Sequence, residues 1–170
     1  SVRQQFELSA DAVHLSALLI AAHPRAVRER IEEYRQGLDR DPIGYLHSNN
    51  SRRRRQTLAA AAKYLGGQRS EVALTDSTTM GLGIVYGGLL FEPGQEVLST
   101  EHDYYVTHEA LRMATASSGA RVRQVALYPA AEAASEGEIL ERIGEALQPR
   151  TRVVALTWVH SGTGAKLPLP

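Results

Sequence analysis

Apolar positions along this chain fall into two rhythms, and the change comes near residue 71. Before it the spacing is helical. Val27, Ile31, Tyr34 and Leu38 recur at intervals of four and three, which predicts an amphipathic helix. His23-Pro24-Arg25 opens that helix, because a proline near the first turn forfeits no hydrogen bond. Asp39-Arg40-Asp41-Pro42 ends it, since the residue before proline is pushed out of the helical region. Tyr45 to Ser51 is polar and reads as loop, with Ser51 capping a second helix. That helix carries Arg52-Arg53-Arg54-Arg55 and an alanine-rich body, and it stops at Gly66-Gly67. Upstream, the apolar run from Leu15 to Ala22 is too short to assign to either type.

After residue 71, short apolar runs alternate with helical stretches. Strands are predicted at Glu71–Thr75, Glu96–Thr100, Val122–Leu127 and Arg152–Val159. The last is continuously apolar, as in a strand buried on both faces. Helices are predicted over Thr79–Leu90, Tyr105–Ser117 and Glu136–Leu147, the last with Ile139, Leu140, Ile143 and Leu147 on one face. Glycines at 81, 83, 87 and 88 each cost about 1 kcal/mol in a helix interior, so their number implies close approach of a neighbour or a ligand. The alternation predicts an α/β layer with a mostly parallel sheet and crossover helices.

Composition narrows the chemistry. The 170 residues carry 19 basic and 19 acidic side chains. This balance disfavours a nucleic-acid or anionic-membrane surface, which needs excess positive charge. The four consecutive arginines spread around a helix and read as a solvated or interface face. With no cysteine, disulfides, iron–sulfur clusters and cysteine nucleophiles are excluded. No apolar run approaches the ~20 residues of a membrane span, and no targeting segment is visible, so a cytoplasmic protein without membrane contact is expected.

Ligands of parallel α/β sheets bind beyond the carboxyl ends of the strands. Three clusters fall there: Ser77-Thr78-Thr79, His102 to Tyr105, and His160-Ser161-Gly162-Thr163-Gly164. Free amides at a helix start suit a phosphate, although serine and threonine also cap helices with no ligand. Neither a P-loop lysine motif nor a Gly-x-Gly-x-x-Gly turn is present. His102 could stack on a ring, act as a base, or join Asp103 and His108 around a metal, though that spacing matches no strong motif. Ser161 beside His160 lacks the nucleophile elbow of a serine hydrolase, and nothing near Lys166 suggests the depressed pKa of an imine-forming amine.

Taken together, Thr75-Asp76-Ser77-Thr78-Thr79-Met80-Gly81-Leu82, Thr100-Glu101-His102 and Thr157 to Gly164 before Leu167-Pro168 resemble the class V aminotransferase group. These are fold-type I pyridoxal-phosphate enzymes, and the group includes cysteine desulfurases and isopenicillin N epimerase-like proteins. The resemblance implies that Thr78 and Thr79 bind the phosphate of pyridoxal 5'-phosphate and that His102 stacks on its pyridine ring. It also implies that Ser161, or Thr163, meets the phenolic oxygen, where the family often has asparagine. Ser16-Ala17-Leu18-Leu19 stands where such proteins often carry a glycine-rich substrate loop.

The same resemblance expects the Schiff-base lysine and the aspartate of the pyridine nitrogen outside this chain, so no catalytic residue is assigned within it. It divides the chain into an N-terminal helical segment, 1–50, and the first half of a cofactor-binding α/β domain, 51–170. The expected whole acts on an amino-acid substrate by desulfurase, lyase, epimerase or transaminase chemistry. It works as a homo-oligomer or with a second chain carrying the remainder of the domain. Two alternatives stay open: a non-catalytic structural or partner subunit, and a small α/β module that binds a phosphate ligand.

Overall fold

Asp41 and the proline after it divide the first part of the molecule into two helices. In the computed structural model, which describes residues 1–15 and 20–169, α1 runs Arg25–Arg40 and α2 runs Pro42–Leu65. Asp41 between them has φ −154° and ψ 85°, outside the helical region as a residue before proline should be. Its carboxylate accepts the Gly44 amide at 3.1 Å and so caps α2, with Pro42 in the first turn. The stretch from Tyr45 to Ser51, expected as loop, is therefore helix, and Ser51 is interior to it. Polarity alone does not break a helix: the segment contains neither glycine nor proline, and its polar side chains point largely to solvent. Gly66 closes α2 at φ 74°, its N–H returning to Ala62.

The arginine run has a partly structural use. The Arg53 guanidinium lies 3.6 Å from the centre of the Tyr34 ring and 4.6 Å from that of Tyr45, and it donates to the Tyr45 hydroxyl. Among the described residues of the unit Ser1–Leu74 only Ala62 is buried. The apolar run beginning at Leu15 and the Ser16-Ala17-Leu18-Leu19 segment fall largely outside the described residues.

The second unit, Thr75–Pro170, holds the sheet. Its order is α3 (Thr78–Gly87), β1 (Glu96–Thr100), α4 (Tyr105–Thr115), β2 (Arg121–Val125), α5 (Glu136–Ala146) and β3 (Thr151–Val154). The three strands are parallel in the order β2-β1-β3. All five residues of β1 are buried, as a central strand covered on both faces requires. Val97 packs with Tyr86 of α3, Leu111 of α4 and Ala155, while Leu127, Tyr128, Ile139 and Leu167 form a second cluster. The fold class is thus α/β with a parallel core and flanking helices.

Two strand expectations change. Glu71–Thr75 forms no ladder among the described residues: Arg69–Glu71 is a 3-10 turn, and Val72 after it is extended but unpaired. An apolar run specifies extended backbone, whereas a strand also needs a partner. β3 is shorter than Arg152–Val159 and has alternating, half-exposed positions, because it lies at an edge and the two-sided burial belongs to β1. Of the helical glycines, Gly81 approaches the Thr75 side chain, while Gly83 and Gly87 face open space.

Candidate functional site

The carboxyl ends of all three strands contribute to one cluster of rings. β1 ends at Thr100, and His102 follows two residues later. Beyond β2 stands Tyr128, and beyond β3 stands His160. His102 and Tyr128 are stacked, with ring centres 3.9 Å apart and planes within 6°. The His160 ring lies 5.5 Å from that of His102, tilted by 38°. The Leu127 N–H donates to His102 Nε2 at 3.1 Å, so in the neutral ring the proton sits on Nδ1.

Hydroxyls and a carboxylate complete the rim. The Tyr128 hydroxyl contacts His160 Nδ1 at 2.8 Å and Thr163 Oγ1 at 2.9 Å. Asp103, also buried, takes three donors on one oxygen: Thr100 Oγ1 at 2.7 Å, Thr100 N–H at 3.1 Å and Ser99 Oγ at 3.2 Å. Its other oxygen, Oδ1, and Nε2 of the fully buried His160 have no partner among the described residues. Polar atoms left this way inside a fold mark a place where water or a ligand group belongs. Burial, with His102 adding to it, pushes the His160 pKa below its usual value against the opposing pull of the Asp103 charge. Burial and then the Asp103 charge push the Tyr86 phenol upward.

At the start of α3, Ser77 is the N-cap, its hydroxyl accepting the Met80 N–H at 3.1 Å. The Gly81 N–H returns to the Ser77 carbonyl. Thr78 and Thr79 then occupy the first helical turn, exposed, with amides that the helix itself cannot satisfy. Such a turn could hold an anion, and an imidazole fixed in plane could cover a flat ring. Ser161 is exposed beside this rim, and Thr163 is exposed except for its contact with Tyr128. Lys166 sits with its ammonium 4.9 Å from the Trp158 ring centre. His108 meets the Thr100 carbonyl through Nε2 at 2.8 Å. Among the described residues no three His, Asp or Glu side chains gather in a metal-holding arrangement.

Residues 21–170 match the family described as Aminotransferase class-V. The chain belongs to this class-V aminotransferase family. A probable cysteine desulfurase of Methanothermobacter thermautotrophicus is 27% identical over 172 residues, covering 96% of this chain and 40% of that protein. The cysteine desulfurase CsdA of Escherichia coli has a TM-score of 0.74 at 20% identity, covering 98% of this chain and 43% of its own. The cystine C–S lyase C-DES, in complex with its product cysteine persulfide, has a TM-score of 0.63 at 24% identity, covering 80% and 37%. These likenesses establish the fold of the fold-type I pyridoxal-phosphate enzymes. The class-V chain described here spans 40% of the length of the curated relative it matches.

Sequence reasoning missed Tyr128 entirely and gave Asp103 only a passing place beside a metal. A signal for Tyr128 was available: it stands three residues past the end of β2, where ligands of such sheets are met.

Proposed function

We propose that this chain supplies the phosphate seat and the ring-covering imidazole of a pyridoxal-phosphate-dependent enzyme acting on an amino acid. The observation that carries the reading is His102, its plane fixed at the carboxyl rim of the sheet within a class-V aminotransferase chain. Bound pyridoxal phosphate supplies an electron-poor ring that stabilises negative charge on a substrate carbon. Thr78 and Thr79 hold the phosphate with backbone amides and hydroxyls at the positive end of α3. His102 covers the ring and keeps water from one face.

Between Ser161 and Thr163 the hydrogen-bond inventory favours Ser161 as donor to the cofactor's phenolic oxygen. A hydroxyl has one proton to give. With Tyr128 donating to His160, the Thr163 proton goes to the Tyr128 oxygen, while Thr163 Oγ1 accepts the Ala165 N–H at 3.3 Å. The Ser161 hydroxyl has no partner among the described residues and keeps its proton free. Carbon–sulfur chemistry is the preferred reaction class, because the similar proteins include cysteine desulfurases and a cystine C–S lyase. The complete enzyme works with a Schiff-base lysine and a pyridine-nitrogen aspartate beyond these residues, in an oligomer or with a second chain.

A second reading is that these residues bind the cofactor without contributing an imine-forming amine to it. The sequence has Lys63 and Lys166, and Lys166 is engaged over Trp158 at the surface. Titration of the full chain with pyridoxal phosphate, pyridoxal and inorganic phosphate tests the primary reading, with Trp158 fluorescence as reporter. Pyridoxal phosphate should bind at least ~10-fold more tightly than pyridoxal, a difference of about 1.4 kcal/mol, and Thr79→Ala should erase most of that advantage. Equal affinity for the two pyridoxal forms overturns the phosphate seat. Sodium borohydride followed by mass spectrometry separates the second reading, since a reduced adduct on Lys166 would contradict it.

A further inference from the structure

His102 has two flat faces, and one of them is already taken. Tyr128 lies parallel to it at 3.9 Å. Aromatic pairs usually sit offset or edge-to-face with ring centres about 4.5–7 Å apart, so a parallel pair at 3.9 Å depends on what holds each ring in place. Hydrogen bonds anchor both rings. The Leu127 N–H holds His102 at Nε2, and His160 Nδ1 and Thr163 Oγ1 hold the Tyr128 hydroxyl. Tyr128 is 2% exposed and His160 0%, so water does not compete for these contacts.

The chain of polar groups has a direction. Asp103 takes its three donors through Oδ2, and its buried Oδ1 and the buried His160 Nε2 both lack a partner among the described residues. A proton on His160 Nε2 leaves Nδ1 to accept from Tyr128. The Tyr128 oxygen then accepts from Thr163. Each group has one consistent donor–acceptor assignment, and the Tyr128 hydroxyl is held by two contacts.

We propose that Tyr128 is a positioning residue for His102: it backs one face of the imidazole, is anchored by His160 and Thr163, and thereby holds the opposite face flat for a pyridine ring. This rests on the reading of His102 as the residue that covers the cofactor. The competing account makes Tyr128 an ordinary core residue packed with Leu127, Ile139 and Leu167. That account predicts a change in stability and nothing at the His102 nitrogens.

The two are separated by nitrogen-15 NMR of the full chain, with Tyr128→Phe, which keeps the ring and loses its anchor, and Thr163→Val, which loses one anchor only. The native chain should show an acceptor-type signal at His102 Nε2 and a slowly exchanging Leu127 amide. In both variants the His102 signals should move toward a tautomer average and Leu127 exchange should rise several-fold. Affinity for pyridoxal phosphate should fall about 3-fold as the imidazole loses its fixed plane, while affinity for inorganic phosphate holds. Unchanged His102 signals and Leu127 exchange in a folded variant overturn the proposal and leave the cofactor reading intact. Failure of the native chain to bind pyridoxal phosphate overturns the cofactor reading, and the proposal falls with it. Thr163→Val, near the surface, keeps the test available should Tyr128→Phe not fold.

Discussion

At the amino end of the parallel layer, Glu96 shares its carboxylate with Arg123 at 2.8 and 3.0 Å and with the Thr151 hydroxyl at 3.2 Å, and Arg150 stands 3.7 Å away. Arg123 also reaches the carbonyl of Ala146. Both oxygens of the buried acid are used. At the carboxyl end, Asp103 is comparably buried, yet among the described residues only one of its oxygens and only one nitrogen of the buried His160 are satisfied. The same sheet therefore closes one end with a completed ion pair and leaves the other end partly unpaired. A buried charge with every position filled is what a structural clasp requires. Unfilled buried positions are tolerated where another molecule or a proton has to be accommodated.

The largest effect that could break this contrast is at the amino end. Glu96→Gln should cost about 3 kcal/mol in urea unfolding, because Arg123 is left half-buried without its counter-charge. A loss below about 1 kcal/mol would show the clasp to be no more than a surface pair. Acid titration should then sort the two ends in order. Burial lowers the His160 pKa from its ordinary 6.5, so the unfolded chain binds the proton first, and stability should begin to fall as pH drops below that value. The Glu96 pKa is lowered from 4.5, chiefly by hydrogen bonds from Arg123 and also by Thr151 and the nearby arginine charges. Its contribution is therefore intact above pH 4.5 and is lost as pH falls further. Circular dichroism melts across this range should show two steps, and His160→Gln should remove the upper one.

Asp103→Asn should cost less, about 1 kcal/mol, since the retained amide oxygen still accepts the Thr100 and Ser99 donors. A loss equal to that of Glu96→Gln would mean that the two ends are built alike. Smallest of all, Thr79→Ala should change stability by under about 0.5 kcal/mol, as an exposed first-turn position with Ser77 already capping. Its effect belongs in phosphate binding.

Local rules carried the reading of this sequence far. Proline at 42, Gly66 and the periodic apolar stripe set the helix ends of the first unit, and the β1 bounds follow from five residues between a Pro93-Gly94 turn and a polar strand end. Ser77 to Thr79 and His102 stand out in the sequence as candidates, and the structure places them at the start of α3 and just past the end of β1. What required the tertiary structure were the partners. Glu71–Thr75 has the composition of a strand, but pairing is decided by a neighbour distant in sequence. Likewise, nothing local to Tyr128 indicates that it will stack on His102, 26 positions earlier, or bond to His160, 32 positions later. Periodicity and capping depend on residues within a turn or two of each other and can be read along the chain. Ring stacking, shared protons and strand order depend on which ends of a folded layer come together, and only the closed sheet determines that.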